Sequence, residues 1–271
     1  MFGFRRKRSS LDDPLPMPPL GLRELVGNVD ESAFDNPTGE RVFAAIPGSS
    51  DDFILDFGCG CGRVARQLMQ QKQPPGRYLG VDLHRGMIRW CRDNLAARSP
   101  HFMFKHQDVR NPGLNPRGRS EHVSFPAADR SVSLLIATSV FTHLVESQAV
   151  FYLREVGRVL RDDGIAVATF FLFDKAAFPM MQDFQNALYI NLNDPTNAVI
   201  FDREWLMQVA REAGLRIRHV VPPAIRGFHW YVHMERSQGS DWEHVAFPDD
   251  SAPLGREPPP LLAKGAYRLG S

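Results

Sequence analysis

Cysteine and excess charge are both scarce in this chain of 271 residues, and each absence excludes a class of protein. Three cysteines, at positions 59, 61 and 91, cannot build the disulfide framework of a small secreted domain. A net charge of +1 provides no basic field for nucleic acid or an anionic membrane. No apolar run approaches the roughly 20 residues that cross a bilayer, and no apolar segment follows the basic start. We therefore expect a cytoplasmic protein with no transmembrane segment and no specific nucleic-acid partner.

The distribution of proline, charge and periodic patterns predicts three regions. Residues 1–19 are rich in proline and charge, which is typical of a flexible tail. Residues 20–235 carry regular patterns and form one predicted domain, in which the segments 20–46 and 174–201 are expected to cover a pocket. Residues 236–271 contain five prolines and no period, so this segment is predicted to be irregular or disordered.

Strand and helix patterns alternate between residues 52 and 173. Short apolar runs predict buried strands, and longer segments with apolar residues on one face predict helices. The predicted strands are 52–57, 77–83, 101–108, 131–140 and 165–173, and the helices between them are 63–72, 85–98 and 146–160. This alternation predicts a parallel sheet with helices on both faces.

The flanking segments differ from this central part. A short helix is predicted at 36–48, and a longer one at 202–214 begins at Asp202, a suitable N-cap residue. Two further strands are predicted at 215–221 and 228–234. The connection between them is too short for a parallel crossover, so the pair should be antiparallel.

The stretch LDFGCGCGR, residues 55–63, lies between the first predicted strand and its helix. Glycines lack Cβ atoms, so the backbone there can approach a ligand closely and adopt positive φ. Two cysteines within the stretch, Cys59 and Cys61, raise the alternative of a metal or redox site. No second Cys/Cys or Cys/His pair stands nearby at ligand spacing. We therefore predict a backbone cradle for a nucleotide and no metal.

An aspartate stands at the end of each of the first three predicted strands. Asp82 lies 20 residues after Gly62, where a carboxylate can accept both hydroxyls of a ribose. Asp108 lies one strand further out, within reach of an adenine amine. Asp56 precedes the glycine turn, where it can meet a cationic amino group. Ribose, adenine and an ammonium group describe S-adenosylmethionine better than a dinucleotide.

The arrangement resembles the class I S-adenosylmethionine-dependent methyltransferases of small-molecule type. Their first-strand motif matches Ile54 to Arg63, and their acidic residues at the ends of strands two and three match Asp82 and Asp108. The resemblance spans about residues 34–235. It implies an α/β, Rossmann-like three-layer sandwich whose seven-stranded, mostly parallel sheet has an antiparallel last strand. The residues predicted around the cofactor are Asp56, Gly58, Cys59, Gly60, Gly62, Arg63, Asp82, Leu83, Asp108, Val109, Ser139 and Phe141.

Two features depart from the family pattern. Val132 and Ser133 stand where the family often has Phe-Asp, which removes a common polar anchor near the fourth strand. The insert at 110–124 is also longer than usual, so the course of the chain after strand three is less defined.

The chemistry that the resemblance implies is an in-line SN2 transfer of a methyl group to a small-molecule acceptor. We favour oxygen as the acceptor atom, with a saccharide or lipid-linked acceptor open. His143 follows the fourth strand and is the candidate general base; its alternative role is to orient a loop or cap a helix. Phe141 could contact the cofactor or pack in the core, and both alternatives stay open. His229 and His233 are predicted to have packing roles.

Two other functions compete with this prediction. One is a non-catalytic domain that binds S-adenosylmethionine or a partner. The other is a nicotinamide-dependent oxidoreductase, which is disfavoured because Arg63 stands where the G-x-G-x-x-G motif requires its last glycine.

Overall fold

One sheet of nine strands organises the protein, whose computed structural model describes residues 14–27, 29–46, 48–223, 228–237 and 245–248. The strands are β1 (Ile54–Phe57), β2 (Tyr78–Asp82), β3 (Phe102–His106), β4 (Val132–Ala137), β5 (Leu160–Phe173), β6 (Ala187–Tyr189), β7 (Val199–Asp202), β8 (Leu215–Val221) and β9 (Trp230–Arg236). Strands β3, β2, β1, β4 and β5 lie side by side and are parallel. Strand β9 pairs antiparallel with β5, and β8 pairs antiparallel with β9.

These seven strands confirm the predicted sheet, including its antiparallel last strand. The insert 174–201 adds two short strands that were not predicted. The end of β5, residues 171–173, pairs in parallel with β7, and β6 pairs antiparallel with β7. The long β5 therefore pairs with β9 through residues 165–170 and with strand β7 of the insert through residues 171–173.

Helices cover both faces of the sheet. They are α1 (Leu20–Glu24), α2 (Arg63–Met69), α3 (Arg85–Cys91), α4 (Glu146–Val159) and α5 (Arg203–Glu212). Because side chains alternate along a strand, Ile54 packs in the apolar cluster with α2 and α3, and Leu55 packs in the cluster with α4 and α5. Two cores separated by one sheet give the predicted three-layer sandwich.

The predicted helix at 36–48 was wrong. Residues 42–45 form turns, and the neighbouring 3₁₀ helix is earlier in the chain, at Glu31–Phe34. Pro37 has no backbone N–H to donate, and Gly39 adopts a φ of +67°. The backbone N–H of Val42 donates instead to the Gln71 side chain at 2.6 Å. A contact with the segment that follows α2 therefore replaces a helical hydrogen bond here.

The predicted terminal segments are only partly described. Residues 1–13 lie outside the described part of the chain, as do 238–244 and 249–271. Residues 14–19, which were assigned to the flexible tail, are fixed against α2, since Arg66 donates to the carbonyls of Leu15 at 2.7 Å and Pro16 at 2.9 Å. Near the other end, Phe247 packs edge-on against Trp230, with ring centroids 5.7 Å apart.

The longest helix of the described part, α4, has 14 residues. Within the described residues, none of the helices combines the length and apolar character needed to cross a bilayer.

Candidate functional site

A cavity of about 610 Å³ opens at the carboxyl ends of β1, β2 and β4. This volume lies within the range of small-molecule sites, and strand ends are where parallel α/β sheets bind ligands. Most of the predicted site residues line it: Asp56, Gly58, Cys59, Gly60, Arg63, Asp82, Leu83, Val109, Ser139 and His143. The predicted covering segments contribute too, through residues 24–27 and through Asp194, Thr196 and Asn197.

The glycine turn after β1 runs along one wall of the cavity. Gly58 has a φ of +79°, and its N–H donates to the carbonyl of Val81 at 2.8 Å. A Cβ on Gly60 would lie 2.7 Å from Cγ1 of Val26, so this position has room only for glycine. Gly62, the N-cap of α2, lies behind the wall, where a Cβ would be 2.6 Å from Cδ1 of Leu95. Two of the three glycines therefore shape the cavity, and the third allows α3 to approach α2.

Asp82 ends β2 and supports this turn from the side. One carboxylate oxygen accepts the N–H of Gly60 at 2.8 Å, and the other accepts the N–H of His84 at 2.7 Å. Burial raises the pKa of Asp82, and these two hydrogen bonds act in the opposite direction. The carboxylate thus combines a structural role with a place on the cavity wall.

Asp56, near the end of β1, is the second buried carboxylate of the wall. The hydroxyl of Tyr78 donates to its Oδ2 at 2.6 Å. Burial raises the pKa of Asp56 to about 6, against the lowering effects of Tyr78 and the Arg63 guanidinium. A cationic group next to Asp56 would offset the cost of its burial.

The three cysteines are buried thiols. Burial raises the pKa of Cys59 and of Cys91 well above the usual value, and that of Cys61 to about 11. The Sγ of Cys59 fills the space above Gly80, where a Cβ would lie 2.8 Å from it. Across the described ranges, no group of three or more His, Cys, Asp or Glu side chains could hold a metal ion. All three cysteines are therefore buried, and Cys59 and Cys61 also line the cavity.

Asp108, which was predicted to contact adenine, lies apart from the other two strand-end carboxylates. Its side chain lies outside the cavity wall and accepts from Nε of Arg119 at 2.8 Å and from Nδ2 of Asn115 at 3.3 Å. Arg119 also lowers the pKa of the Asp108 carboxyl. The insert after β3 folds back, and Val109 forms an isolated β-bridge with Ser120. This brings the Arg119 guanidinium to the Asp108 carboxylate. An adenine contact from this carboxylate is not supported by the arrangement, whereas Val109 beside it does line the cavity.

Phe141 also lies behind the wall. It is fully buried, and its ring stacks on that of Phe170 with centroids 4.7 Å apart. Of the two roles left open for it, the structure places it in the core. Ser133, the other departure from the expected pattern, is buried and accepts the N–H of Phe53 at 2.8 Å, so it anchors the start of β1.

His143 lies on the wall after β4. Its Nδ1 is 3.0 Å from the carbonyl oxygen of Thr196. A carbonyl can only accept a hydrogen bond, so Nδ1 carries the proton and Nε2 of the neutral ring keeps a free lone pair. This is the tautomer that a general base at Nε2 requires.

His229 was assigned to packing but lines the same cavity. Its ring stacks on Phe171 at 4.8 Å, and its Nε2 is 3.3 Å from Oγ of Ser139. Burial lowers the pKa of His229 to about 4. Ser139 has a φ of +55°, an unusual value for a residue other than glycine, and its N–H donates to Oγ1 of Thr169 at 2.7 Å. His233, in contrast, packs on His219 outside the wall, as expected.

Several other wall residues were missed by sequence reasoning. They are polar or aromatic and come from the end of β3, the insert after it, α4 and β9: Gln107, Asn111, Gln148, Tyr152 and Tyr231. The apolar rhythm of α4 and β9 gave no signal for them, because a residue on a buried face can equally point into a core or into a cavity.

The family model and the curated relatives that match this chain are methyltransferases. A family described as a methyltransferase domain matches residues 54–164. The chain is 32% identical over 136 residues to an arsenite methyltransferase of Halobacterium salinarum, which covers 48% of this chain and 31% of that protein. It is 32% identical over 141 residues to a malonyl-[acyl-carrier protein] O-methyltransferase of Geobacter sulfurreducens, which covers 51% of this chain and 46% of that protein. The chain therefore spans less than half the length of both relatives.

Among solved structures, a chain from the complex between the Haloferax volcanii Trm112 methyltransferase activator and a methyltransferase has a similar fold. The TM-score is 0.50 at 15% identity, over 73% of this chain and 87% of that chain. This likeness concerns the fold alone.

Proposed function

We propose that the chain is a class I S-adenosylmethionine-dependent methyltransferase that transfers a methyl group to an oxygen atom of a small-molecule acceptor. The observation that carries the proposal is the composition of one cavity. It brings the glycine turn, two buried carboxylates and a histidine of defined tautomer to the same strand ends. A saccharide or a lipid-linked molecule is a suitable acceptor class, since both present hydroxyl groups.

The cofactor half of the cavity is assigned to the ends of β1, β2 and β3. The Asp82 carboxylate would accept the ribose hydroxyls while it holds Gly60, because each carboxylate oxygen has a second lone pair. Asp56 would face the cationic end of the cofactor, and the absence of a side chain at Gly58 and Gly60 leaves room between them. Val109 would lie against adenine. S-adenosylmethionine supplies an electrophilic methyl group when it is bound.

His143 is the proposed general base. Its Nδ1–H donates to Thr196, which leaves Nε2 to take the proton of an acceptor hydroxyl as the oxygen attacks. Positioning of the acceptor oxygen in line with the methyl group contributes the rest of the rate enhancement. Ser139 and His229, which lie beside each other on the wall, offer further hydrogen bonds to the acceptor.

The experiment has a binding arm and a transfer arm. Isothermal titration with S-adenosylmethionine, S-adenosylhomocysteine and NADH should show binding of the first two. A transfer screen with tritiated S-adenosylmethionine over fractionated cell extract should then yield a labelled small molecule. Binding of NADH without S-adenosylmethionine would overturn the proposal. Binding without transfer to any fraction would favour the non-catalytic alternative.

With an acceptor from this screen, His143→Ala should lower kcat roughly 10²- to 10⁴-fold and leave the affinity for S-adenosylmethionine unchanged. The matched control is His101→Ala, because His101 is an exposed histidine before β3. Equal activity of both variants would remove the base role of His143.

A further inference from the structure

Tyr78 is a fully buried tyrosine that the proposed chemistry does not use. It opens β2, and its ring packs on Phe102 at 5.0 Å and on Phe104 at 5.6 Å. In the sheet, Tyr78 pairs with Ile54, two residues before Asp56 on the same face of β1. Its hydroxyl is thereby directed at the Asp56 carboxylate, 2.6 Å away. The aromatic neighbours hold the ring, and the ring holds the hydroxyl.

We propose that Tyr78 is a positioning residue that keeps the Asp56 carboxylate ionised and fixed at the cavity wall, so that cofactor binding depends on pH with a midpoint that the Tyr78 hydroxyl lowers. The inference rests on the proposed function, because it takes S-adenosylmethionine as the ligand of this wall. The contact is between chain residues, and it can be tested without knowledge of the acceptor.

The charges around Asp56 determine the direction of the effect. Burial favours the neutral acid, and Asp82 at the end of β2 acts in the same direction. The Tyr78 hydroxyl and Arg63 at the start of α2 favour the carboxylate. The neighbouring thiols of Cys59 and Cys91 stay protonated, since burial raises the pKa of each. Together these opposing effects leave the pKa of Asp56 at about 6, so a change of pH around this value alters its ionisation.

Binding of a cation next to Asp56 favours its ionised form, so binding must release protons near this pKa. At pH 6 the free carboxyl is about half protonated, and binding should release about half a proton. The ionised fraction rises from about a quarter at pH 5.5 to about nine-tenths at pH 7.0. The affinity for S-adenosylmethionine should therefore increase about fourfold between these two pH values.

The measurement is isothermal titration of the full chain with S-adenosylmethionine. Titrations at pH 5.5 and 7.0 give the affinity ratio, and titrations at pH 6.0 in two buffers of different ionisation enthalpy give the number of protons released. The wild-type proton count needs no variant, so it tests the proposal even where a substitution impairs folding.

Two substitutions separate positioning from packing. Tyr78→Phe keeps the ring but removes the hydrogen bond, and it should move the pH midpoint upward by about one unit. Asp56→Asn should weaken binding and abolish the pH dependence, and Tyr78→Phe should then have no further effect on the pH profile in that background. Tyr189→Phe, on strand β6, is the control and should leave the profile unchanged.

The outcomes distinguish the two proposals. Binding of S-adenosylmethionine with equal affinity at both pH values and no proton release would overturn the role of Tyr78 and leave the methyltransferase proposal standing. An unchanged midpoint in Tyr78→Phe would also overturn it. Absence of S-adenosylmethionine binding at every pH would overturn the proposed function itself.

Discussion

Replacing Asp82 by asparagine removes one acceptor from a site that uses both carboxylate oxygens. The N–H groups of Gly60 and His84 donate to different oxygens of this side chain, at 2.8 and 2.7 Å. An amide has one acceptor oxygen, so one of these N–H groups would face an NH₂ group instead. Loss of a partner for a buried donor costs about 1–3 kcal/mol, and we expect the free energy of unfolding to fall by this amount.

The same substitution should weaken cofactor binding. Hydrogen bonds to a charged partner contribute about 1.5–3 kcal/mol, and each 1.4 kcal/mol is a factor of about ten in affinity. If Asp82 accepts the ribose hydroxyls, Asp82→Asn should lower the affinity for S-adenosylmethionine roughly 10- to 100-fold. Urea unfolding measures the first effect, and isothermal titration measures the second.

Asp108→Asn is the matched control, because it makes the same chemical change in a carboxylate outside the wall. Its Arg119 partner is 83% exposed, so this pair is largely screened by water. We expect an affinity for S-adenosylmethionine within a factor of about two of the wild-type value. Full affinity in Asp82→Asn would refute the ribose assignment. A loss in Asp108→Asn as large as that in Asp82→Asn would show that Asp108 turns to the cofactor, as its position in the sequence suggests.

Two further predictions concern stability. Ser133→Ala leaves the buried N–H of Phe53 without its 2.8 Å partner, so urea unfolding should show a loss of about 1–3 kcal/mol. The control Ser124→Ala changes an exposed serine and should stay within about 0.5 kcal/mol of wild type. Arg66→Ala removes the donor to the Pro16 carbonyl at 2.9 Å. Limited proteolysis followed by mass spectrometry should therefore find faster cleavage near Pro16. An unchanged cleavage rate would contradict the anchoring role of Arg66.

Local patterns predicted the central parallel sheet and part of the cavity wall. Each strand of the parallel sheet is a short apolar run, and the residue that follows such a run lies at the carboxyl edge whatever its neighbours are. Asp56 and Asp82 were therefore placed correctly by their positions alone. The same holds for Gly58 and Gly60, because their turn is confined to a few residues between β1 and α2.

Sequence position was a poorer guide where distant segments compete for the same group. Asp108 follows a strand just as Asp82 does, but Arg119 reaches it from an insert whose fold has no periodic signal. In the segment 36–48, apolar spacing favoured a helix, but the side chain of Gln71, just after α2, accepts the backbone N–H of Val42. In both places a long-range polar contact prevailed over a local pattern.

The proposed base is the site feature that depends most on such contacts. His143 could be placed after β4 from the sequence, but its tautomer is set by Thr196, 53 residues later in the chain. Thr196 is itself tied to the other insert, since Nδ2 of Asn111 donates to its Oγ1 at 3.1 Å. Under the proposed function, the two inserts that enclose the acceptor therefore also determine which nitrogen of His143 is free to take a proton. Changes in either insert that alter acceptor choice should for this reason change the rate of transfer as well.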